Sequence, residues 1–153
     1  MAELSEFDVV RYAQKANSNL AILAMMREQG VVLDAVSAGE IHRALRVGYL
    51  GGSNASGRHE IVYTADIFDQ DALALVQEHN IHVNCGSVDM IEQLGKGSPG
   101  VEITLRINPG FGHGHSEKTN TGGSQSKHGI WHEQLGECKT LAAQYDITIS
   151  GLH

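Results

Sequence analysis

The sequence predicts an α/β fold with about six parallel strands and helices between them. Short runs rich in β-branched and other apolar residues alternate along the whole chain with longer runs of helical periodicity. Residues suited to helix ends also separate the runs, because serine or aspartate precedes most of the helical segments and glycine follows two of them. Repeated strand–helix units of this kind predict a parallel sheet with right-handed crossovers.

The predicted strands are runs rich in valine, isoleucine and leucine near residues 9–16, 32–37, 61–66, 82–87, 102–108 and 147–152. Between them lie five predicted helices, with the sequences SNLAILAMMREQG, SAGEIHRALRVG, DQDALALVQEHN, SVDMIEQLGKG and HEQLGECKTLAAQYD. The predicted N-caps are Ser18, Ser37, Asp69 and Ser87. The predicted C-cap glycines are Gly30 and Gly48.

Two architectures are compatible with this order of elements: an open doubly wound sheet and part of a (β/α)₈ barrel. No G-x-G-x-x-G follows the first strand, so a dinucleotide-binding sheet has no direct support. A complete barrel takes about 250 residues. This chain has 153 residues, so a barrel built from it would be partial.

Composition limits the possible partners. The formal net charge of −7 argues against a nucleic-acid partner, which requires a basic face. No apolar run approaches the roughly 20 residues needed to cross a bilayer, and the first residues do not have the pattern of a signal peptide. Cys85 and Cys138 lie far apart without CxxC spacing, which predicts reduced, buried thiols and a cytoplasmic protein.

Residues 110–131, GFGHGHSEKTNTGGSQSKHGIW, have neither helical nor strand periodicity, and loops of this length are often functional. His113 and His115, with His128 or His132, could bind a metal. No cysteine or carboxylate set at a recognised spacing accompanies them, so we predict no metal and expect solvated or hydrogen-bonded histidines. The glycines and hydroxyls could also cradle a phosphate, although the segment is not a P-loop.

Charged residues interrupt three of the predicted strands near their carboxyl ends: Lys15, Asp34 and Arg106. Ligands of alternating strand–helix proteins bind at this edge. Each charge could instead point outward or form a structural ion pair, because an unpaired buried charge is costly. A lysine flanked by a carboxylate and an arginine suits imine chemistry.

The stretch RYAQKANSNLAILAMMREQGVVLDAVSAGEIHRAL resembles the opening of the barrel domain of the diaminopimelate decarboxylase family, pyridoxal-phosphate enzymes of the alanine-racemase-like fold. VNCGSVDMIEQLG, LRINPGFGHGHSEKTNTGGSQSKHGIW and the terminal GLH resemble the same family in the same order. The resemblance covers essentially the whole chain. It implies a partial (β/α)₈ TIM-type barrel, in which residues 1–153 form one incomplete barrel domain without the family's C-terminal β-domain.

The resemblance also implies residue roles. Lys15, in YAQKAN, matches the lysine that forms the internal aldimine with pyridoxal phosphate, and is thus both catalytic and cofactor-binding. Asp34 and Arg106 match positions that line the cofactor near that lysine and the phenolic oxygen of the ring. Lys127, in SKHG, matches a lysine near a subunit interface. The implied reaction is decarboxylation of the small-molecule substrate meso-2,6-diaminopimelate to L-lysine, and the implied parent enzyme is a cytoplasmic homodimer.

In the family, GLH continues into a second histidine that stacks on the cofactor. The glycine-rich phosphate loop, the glutamate that holds the pyridine nitrogen and the C-terminal domain with its catalytic cysteine are likewise not among these 153 residues. We therefore expect the chain alone to lack full activity. A non-catalytic barrel fragment or binding module is one alternative. An ornithine or arginine decarboxylase is another, although HSEKTNTGG favours the diaminopimelate enzymes.

Overall fold

The computed structural model describes residues 6–112 and 121–153. Within these ranges, strands and helices alternate as predicted. The strands are β1 (Arg11–Ala13), β2 (Val32–Ala35), β3 (Ile61–Ala65), β4 (His82–Cys85), β5 (Glu102–Leu105), β6 (Ile107–Asn108), β7 (Ile130–Trp131) and β8 (Thr148–Leu152). The helices are α1 (Leu20–Glu28), α2 (Ala38–Arg46), α3 (Gln70–Glu78), α4 (Val88–Gly97) and α5 (Leu135–Gln144). None of the helices in the described ranges has the length and apolar character needed to cross a membrane.

The six predicted strand positions are confirmed, and the strands form one sheet in the order β1-β2-β3-β4-β5-β8. The registers described for this sheet are all parallel. Strand order follows the chain without reversal, whereas the order of a doubly wound sheet reverses at its switch point. The topology is therefore that of a (β/α)₈ barrel with six of its strands present.

The chain divides into two compact units, and the first comprises Met1–Thr64 and Asp69–His82. In this unit β1 pairs with β2, and β2 with β3, so that Ala13 stands beside Asp34 and Asp34 beside Val62. Apolar side chains of the strands and of the helices that follow them form its core. The buried members include Leu23, Leu33, Ile41, Ile61 and Val76.

The second unit comprises Ala65–Phe68 and Val83–His153. Here β5 pairs with β4 on one side and with β8 on the other. Cys85 and Cys138 are free, buried thiols, as predicted. Burial raises the pKa of the Cys85 thiol to about 12, so this side chain acts as a small apolar group at neutral pH.

The helix ends follow the predicted chemistry in most cases. The Ser37 side chain accepts from the backbone N–H of Glu40, and that of Asp69 accepts from Ala72. Each bond satisfies one of the free donors at a helix start. Gly30 and Gly48 follow the last residues of α1 and α2 with φ of 72° and 92°, a conformation that other residues rarely adopt.

One of the predicted caps needs correction. The N-cap of α1 is Asn19 rather than Ser18, and the Asn19 side chain accepts from Ala21 N at 2.9 Å. The Asn17 side chain accepts from Asn19 N at 3.0 Å, and this turn delays the helix by one residue. The prediction of Ser87 as the N-cap of α4 is confirmed, although its side chain makes no capping bond.

The strand predicted over 102–108 is also wrong in its extent. It ends at Leu105, and β6 pairs in parallel with β7 in a separate two-stranded sheet. The partner changes at Arg106, because Arg106 N donates to Cys85 O (2.9 Å) while Arg106 O accepts from Ile130 N (2.8 Å). The second half of the predicted strand therefore pairs with β7, at the end of the long loop, instead of extending β5.

Candidate functional site

Lys15 lies in the turn that leaves the carboxyl end of β1. The predicted strand 9–16 is shorter than expected, because the chain forms a 3₁₀ helix over Gln14–Ala16 directly after β1. Lys15 is exposed, whereas Gln14 before it is buried. Among the described residues, no hydrogen bond or ion pair involves the Lys15 amine. This amine is therefore accessible to a reagent in solution.

Asp34 is the third residue of β2 and stands beside Ala13 in the strand register. It is half-buried. The guanidinium of Arg11 donates to the carbonyls of His59 (3.0 Å) and Leu33 (3.4 Å). Burial lowers the pKa of Arg11, and the negative charge of Asp34 acts in the opposite direction. The negative charge of Asp34 therefore acts on Arg11 in β1, the strand that leads into the lysine turn.

Arg106 follows β5 directly and is held by a carboxylate. Its Nη1 donates to Oδ1 and Oδ2 of Asp66 at 3.1 and 3.3 Å. The two side chains are 21% and 23% exposed, so water screens their attraction less than it would on an open surface. In the described part of the chain, no hydrogen bond uses Nη2 or Nε of Arg106. These donors remain available to a ligand.

Asp66 was assigned no role from the sequence, yet it is the centre of this cluster. Besides Arg106, it accepts from the backbone N–H of Gly129 at 3.1 Å and from Nδ1 of His128. Asp66 follows β3 directly, as Arg106 follows β5. A charge at the carboxyl end of a predicted strand is the same signal that selected Arg106, so this criterion could have found it.

The base of the predicted loop is organised by Asn108, another residue without a predicted role. It is 3% exposed, and its Oδ1 accepts from Gly110 N (3.1 Å) and Gly123 N (2.9 Å). Its Nδ2 donates to Gly123 O at 3.0 Å. One buried amide thus ties the outgoing and returning arms of the loop together. The sequence signal that could have identified Asn108 is a polar residue within an otherwise strand-like run.

The candidate metal ligands do not form a cluster where the structure describes them. His113 and His115 lie outside the described residues. His128 binds Asp66, and the ring of His132 packs against Trp131 with centroids 4.7 Å apart. No group of three potential ligands occurs in residues 6–112 and 121–153.

The predicted site residues fall into the two units. Lys15 and Asp34 belong to the first unit, and Arg106 belongs to the second. The structure brings Arg106 together with Asp66 and His128, which were not predicted as its partners. A meeting of Lys15, Asp34 and Arg106 at one point stays a prediction.

Fold and side chains together define a class: a segment of a parallel (β/α) barrel with an accessible lysine at a strand end, suited to imine chemistry with a carbonyl compound. The family model described as "Pyridoxal-dependent decarboxylase, pyridoxal binding domain" matches residues 2–153. The chain belongs to this family.

The relatives that share about half of their aligned residues with this chain include diaminopimelate decarboxylases of several bacteria. The chain is 54% identical over 153 residues to diaminopimelate decarboxylase of Escherichia coli (strain K12), covering 100% of this chain and 36% of that protein. It is 55% identical over 151 residues to the enzyme of Streptomyces coelicolor, covering 98% and 33%. A crystal structure of diaminopimelate decarboxylase superposes with a TM-score of 0.90 at 54% identity, covering 99% and 35%. The chain thus spans about a third of the length of the relatives it matches.

Pyridoxal phosphate is the cofactor that this family implies. The donors present fit two of its groups. The exposed amine of Lys15 suits the aldehyde, which reacts with amines. The unused Nη2 and Nε donors of Arg106 suit an anionic oxygen, because a guanidinium stays charged and donates in a fixed plane. Each of these donors, taken by itself, therefore fits one group of the cofactor.

Proposed function

We propose that this chain is the cofactor-binding barrel segment of a diaminopimelate decarboxylase, which converts meso-2,6-diaminopimelate to L-lysine and carbon dioxide. The observation that carries the proposal is the identity of about half of all residues, over the whole chain, with enzymes of that name. The exposed Lys15 just after β1 supports it independently, because imine chemistry with the cofactor requires an accessible amine.

Lys15 would hold the cofactor through its amine, and Asp34 would orient that amine from the neighbouring strand. Arg106 would donate to the phenolic oxygen of the ring through Nη2 or Nε. When bound, pyridoxal phosphate supplies an electron-accepting ring that takes up the electron pair left as the substrate carboxylate departs. The protein's own task is to keep the lysine accessible and the guanidinium in a fixed plane.

The proposal extends to assembly and location. A homodimer with Lys127 near the subunit contact follows from the resemblance of SKHG to the family. A cytoplasmic location is supported by the two free, buried thiols, since unpaired cysteines are typical of reducing compartments. Size-exclusion chromatography with light scattering tests the dimer, and Lys127→Glu should shift it toward monomer.

The decisive experiment uses the full-length protein that contains this segment. Lys15→Ala should abolish the visible absorbance band of the bound cofactor and the release of carbon dioxide from meso-diaminopimelate. The matched control is Lys139→Ala, because Lys139 is also an exposed lysine but lies on α5. A band that persists in Lys15→Ala would refute the role of Lys15.

Substrate comparison separates the remaining alternatives. Equal or faster release of carbon dioxide from ornithine or arginine would assign the protein to a different branch of the decarboxylases. A full-length protein that binds pyridoxal phosphate but releases carbon dioxide from none of these amino acids would be a binding module.

A further inference from the structure

Asp66 is the only carboxylate that the described residues offer to Arg106. Both of its oxygens accept from Nη1 of Arg106, at 3.1 and 3.3 Å. The same carboxylate accepts from Gly129 N and His128 Nδ1. Hydrogen bonds to a charged acceptor are roughly twice as strong as neutral ones. Asp66 therefore ties three separate parts of the second unit together: the ends of β3 and β5, and the chain just before β7.

Arg106 is held by hydrogen bonds to its side chain and to its backbone. Asp66 takes the Nη1 end of the guanidinium, whereas Ile130 N donates to the carbonyl of Arg106 at 2.8 Å. His128 and Gly129, which also bind Asp66, directly precede Ile130. The segment 128–130 thus fixes Arg106 twice, once directly and once through Asp66. The other two donor nitrogens, Nη2 and Nε, stay unused among the described residues.

Gly86 makes room for this carboxylate. A Cβ at position 86 would lie 2.2 Å from Asp66 Oδ1 and 2.6 Å from the carbonyl oxygen of Ala65. Neither distance is sterically possible, and the carbonyl belongs to the backbone of β3. Any other residue at position 86 would therefore push Asp66 away from Arg106. The pose of Asp66 depends on a glycine that lies 20 residues further along the chain.

We propose that Asp66 is a positioning residue for the decarboxylation. Asp66 holds the Arg106 guanidinium so that Nη2 and Nε face the cofactor's phenolic oxygen. His128 is the second donor, which keeps the Asp66 carboxylate in place. This deepens the proposed function and rests on it for the identity of the cofactor. The pairing itself is a property of the protein alone. Asp66 touches no reacting atom and acts through Arg106.

The first test measures the pairing in the cofactor-free, full-length enzyme. Phenylglyoxal modifies accessible arginines, and mass spectrometry of the Arg106 peptide gives the rate. Asp66→Ala should raise that rate about tenfold, because it removes charge-assisted bonds whose loss costs at least this factor. Asp66→Asn preserves the side-chain shape and should raise it by a smaller factor. Rates within a factor of about two of wild type in both variants would overturn the proposal.

The second test follows the reconstituted enzyme. Asp66→Asn should lower kcat about tenfold, with little change in the KM for meso-diaminopimelate, and should shift the absorbance maximum of the bound cofactor. A residue with only a structural role would change thermal stability without moving that maximum. An unchanged spectrum with folded Asp66→Asn would contradict positioning of Arg106 against the ring.

Gly86→Ala supplies an independent variant that leaves Asp66 itself intact. It should reproduce the faster modification of Arg106 and the spectral shift, because the new methyl group displaces the carboxylate. The matched control is Gly136→Ala in α5, where a Cβ meets nothing within 4 Å. Wild-type Arg106 reactivity in Gly86→Ala, measured on protein with a native circular dichroism spectrum, would contradict the geometry.

His128 is tested by rescue. His128→Phe keeps a ring but removes the donor to Asp66, whereas His128→Asn keeps an N–H donor near the position of Nδ1. Asn should therefore restore most of the spectrum and kcat that Phe loses; equal losses would remove His128 from the proposal. Failure of the proposed function is recognised separately, because Lys15→Ala would then keep its cofactor band while the Arg106 modification rates still report on Asp66.

Discussion

The turn that carries Lys15 and the cluster that holds Arg106 are built in opposite ways. Lys15 is exposed on a 3₁₀ helix, and the described residues offer its amine no partner. Arg106 is paired with a half-buried carboxylate that is itself held by His128 and Gly129. A nucleophile must keep a free amine, whereas a residue that orients a ligand must be fixed by its own neighbours. The difference therefore matches the two proposed roles.

The largest expected effect concerns whether the lysine turn and the arginine cluster suffice for catalysis without the rest of the full-length protein. The chain spans about a third of its relatives, so the 153 residues alone should release carbon dioxide far more slowly than the roughly 1–10³ per second of an ordinary enzyme. A partial sheet has unpaired edge strands, which also favours association with other chains. An assay of purified 153-residue chain beside the full-length enzyme measures this. Comparable turnover would mean that the lysine turn and the arginine cluster contain the whole catalytic apparatus.

A smaller effect is expected when only the fixed region is altered. Arg106→Lys retains the positive charge but cannot bind Asp66 and a ligand with one planar group, so kcat of the full-length enzyme should fall by a factor of about ten to a hundred. Arg43→Lys is the matched control, since Arg43 lies on α2 in the first unit and, among the residues that the structure describes, donates only to the Gly39 carbonyl of its own helix. If Arg106→Lys is as active as this control, the fixed fork of the guanidinium has no function.

Much of this contrast could be predicted from the sequence, but not its cause. Lys15 and Arg106 were found because each is a charge at the end of a locally recognisable strand. The Asp66–His128 bond joins residues 62 positions apart, and no local pattern encodes such a pairing. The same reason explains the strand predicted over 102–108, because its second half pairs with Ile130 after the chain has passed through the long loop. The cofactor itself was identified by resemblance, since imine chemistry alone admits many carbonyl compounds.

Alkaline pH should destabilise the folded protein through a buried thiol that lies in the same unit as Arg106. The backbone of Cys85 accepts from Arg106 N, and burial raises the pKa of the Cys85 thiol from 9.0 to about 12. Folding thus favours the protonated thiol, so its contribution to stability is complete below pH 9 and is lost as the pH rises toward 12. The unfolding constant should increase by up to about tenfold per pH unit in this window.

Urea unfolding of the full-length protein at pH 8, 9 and 10 measures the Cys85 effect, with Cys85→Ala as the variant that lacks the titrating group. Tyr49 and Tyr63 in the first unit also have a pKa raised by burial, to about 12, but their ordinary value is 10.0. Below pH 10 they contribute little, so the buried thiols dominate this range. Burial also raises the pKa of Cys138, and the comparison with Cys85→Ala isolates the share of Cys85. The same loss of stability in Cys85→Ala as in wild type would assign the effect to other groups.

The smallest expected effect compares one alanine substitution in each of the two compact units. Gly30 follows α1 with φ of 72°, and nothing lies within 4 Å of its missing Cβ, so Gly30→Ala acts on the backbone alone and should cost about 1 kcal/mol of the free energy of unfolding. Gly136 lies inside α5 with equally open space, and Gly136→Ala should stabilise the protein by roughly 0.5–1 kcal/mol. Gly30→Asn is the control for the first change, since asparagine tolerates positive φ and should lose less than alanine. Urea midpoints give all three values.

Because neither glycine contacts the lysine turn or the Asp66 cluster in the described structure, kcat should stay at the wild-type value in each variant. A loss of activity in Gly136→Ala would show that the Arg106 region responds to changes in α5.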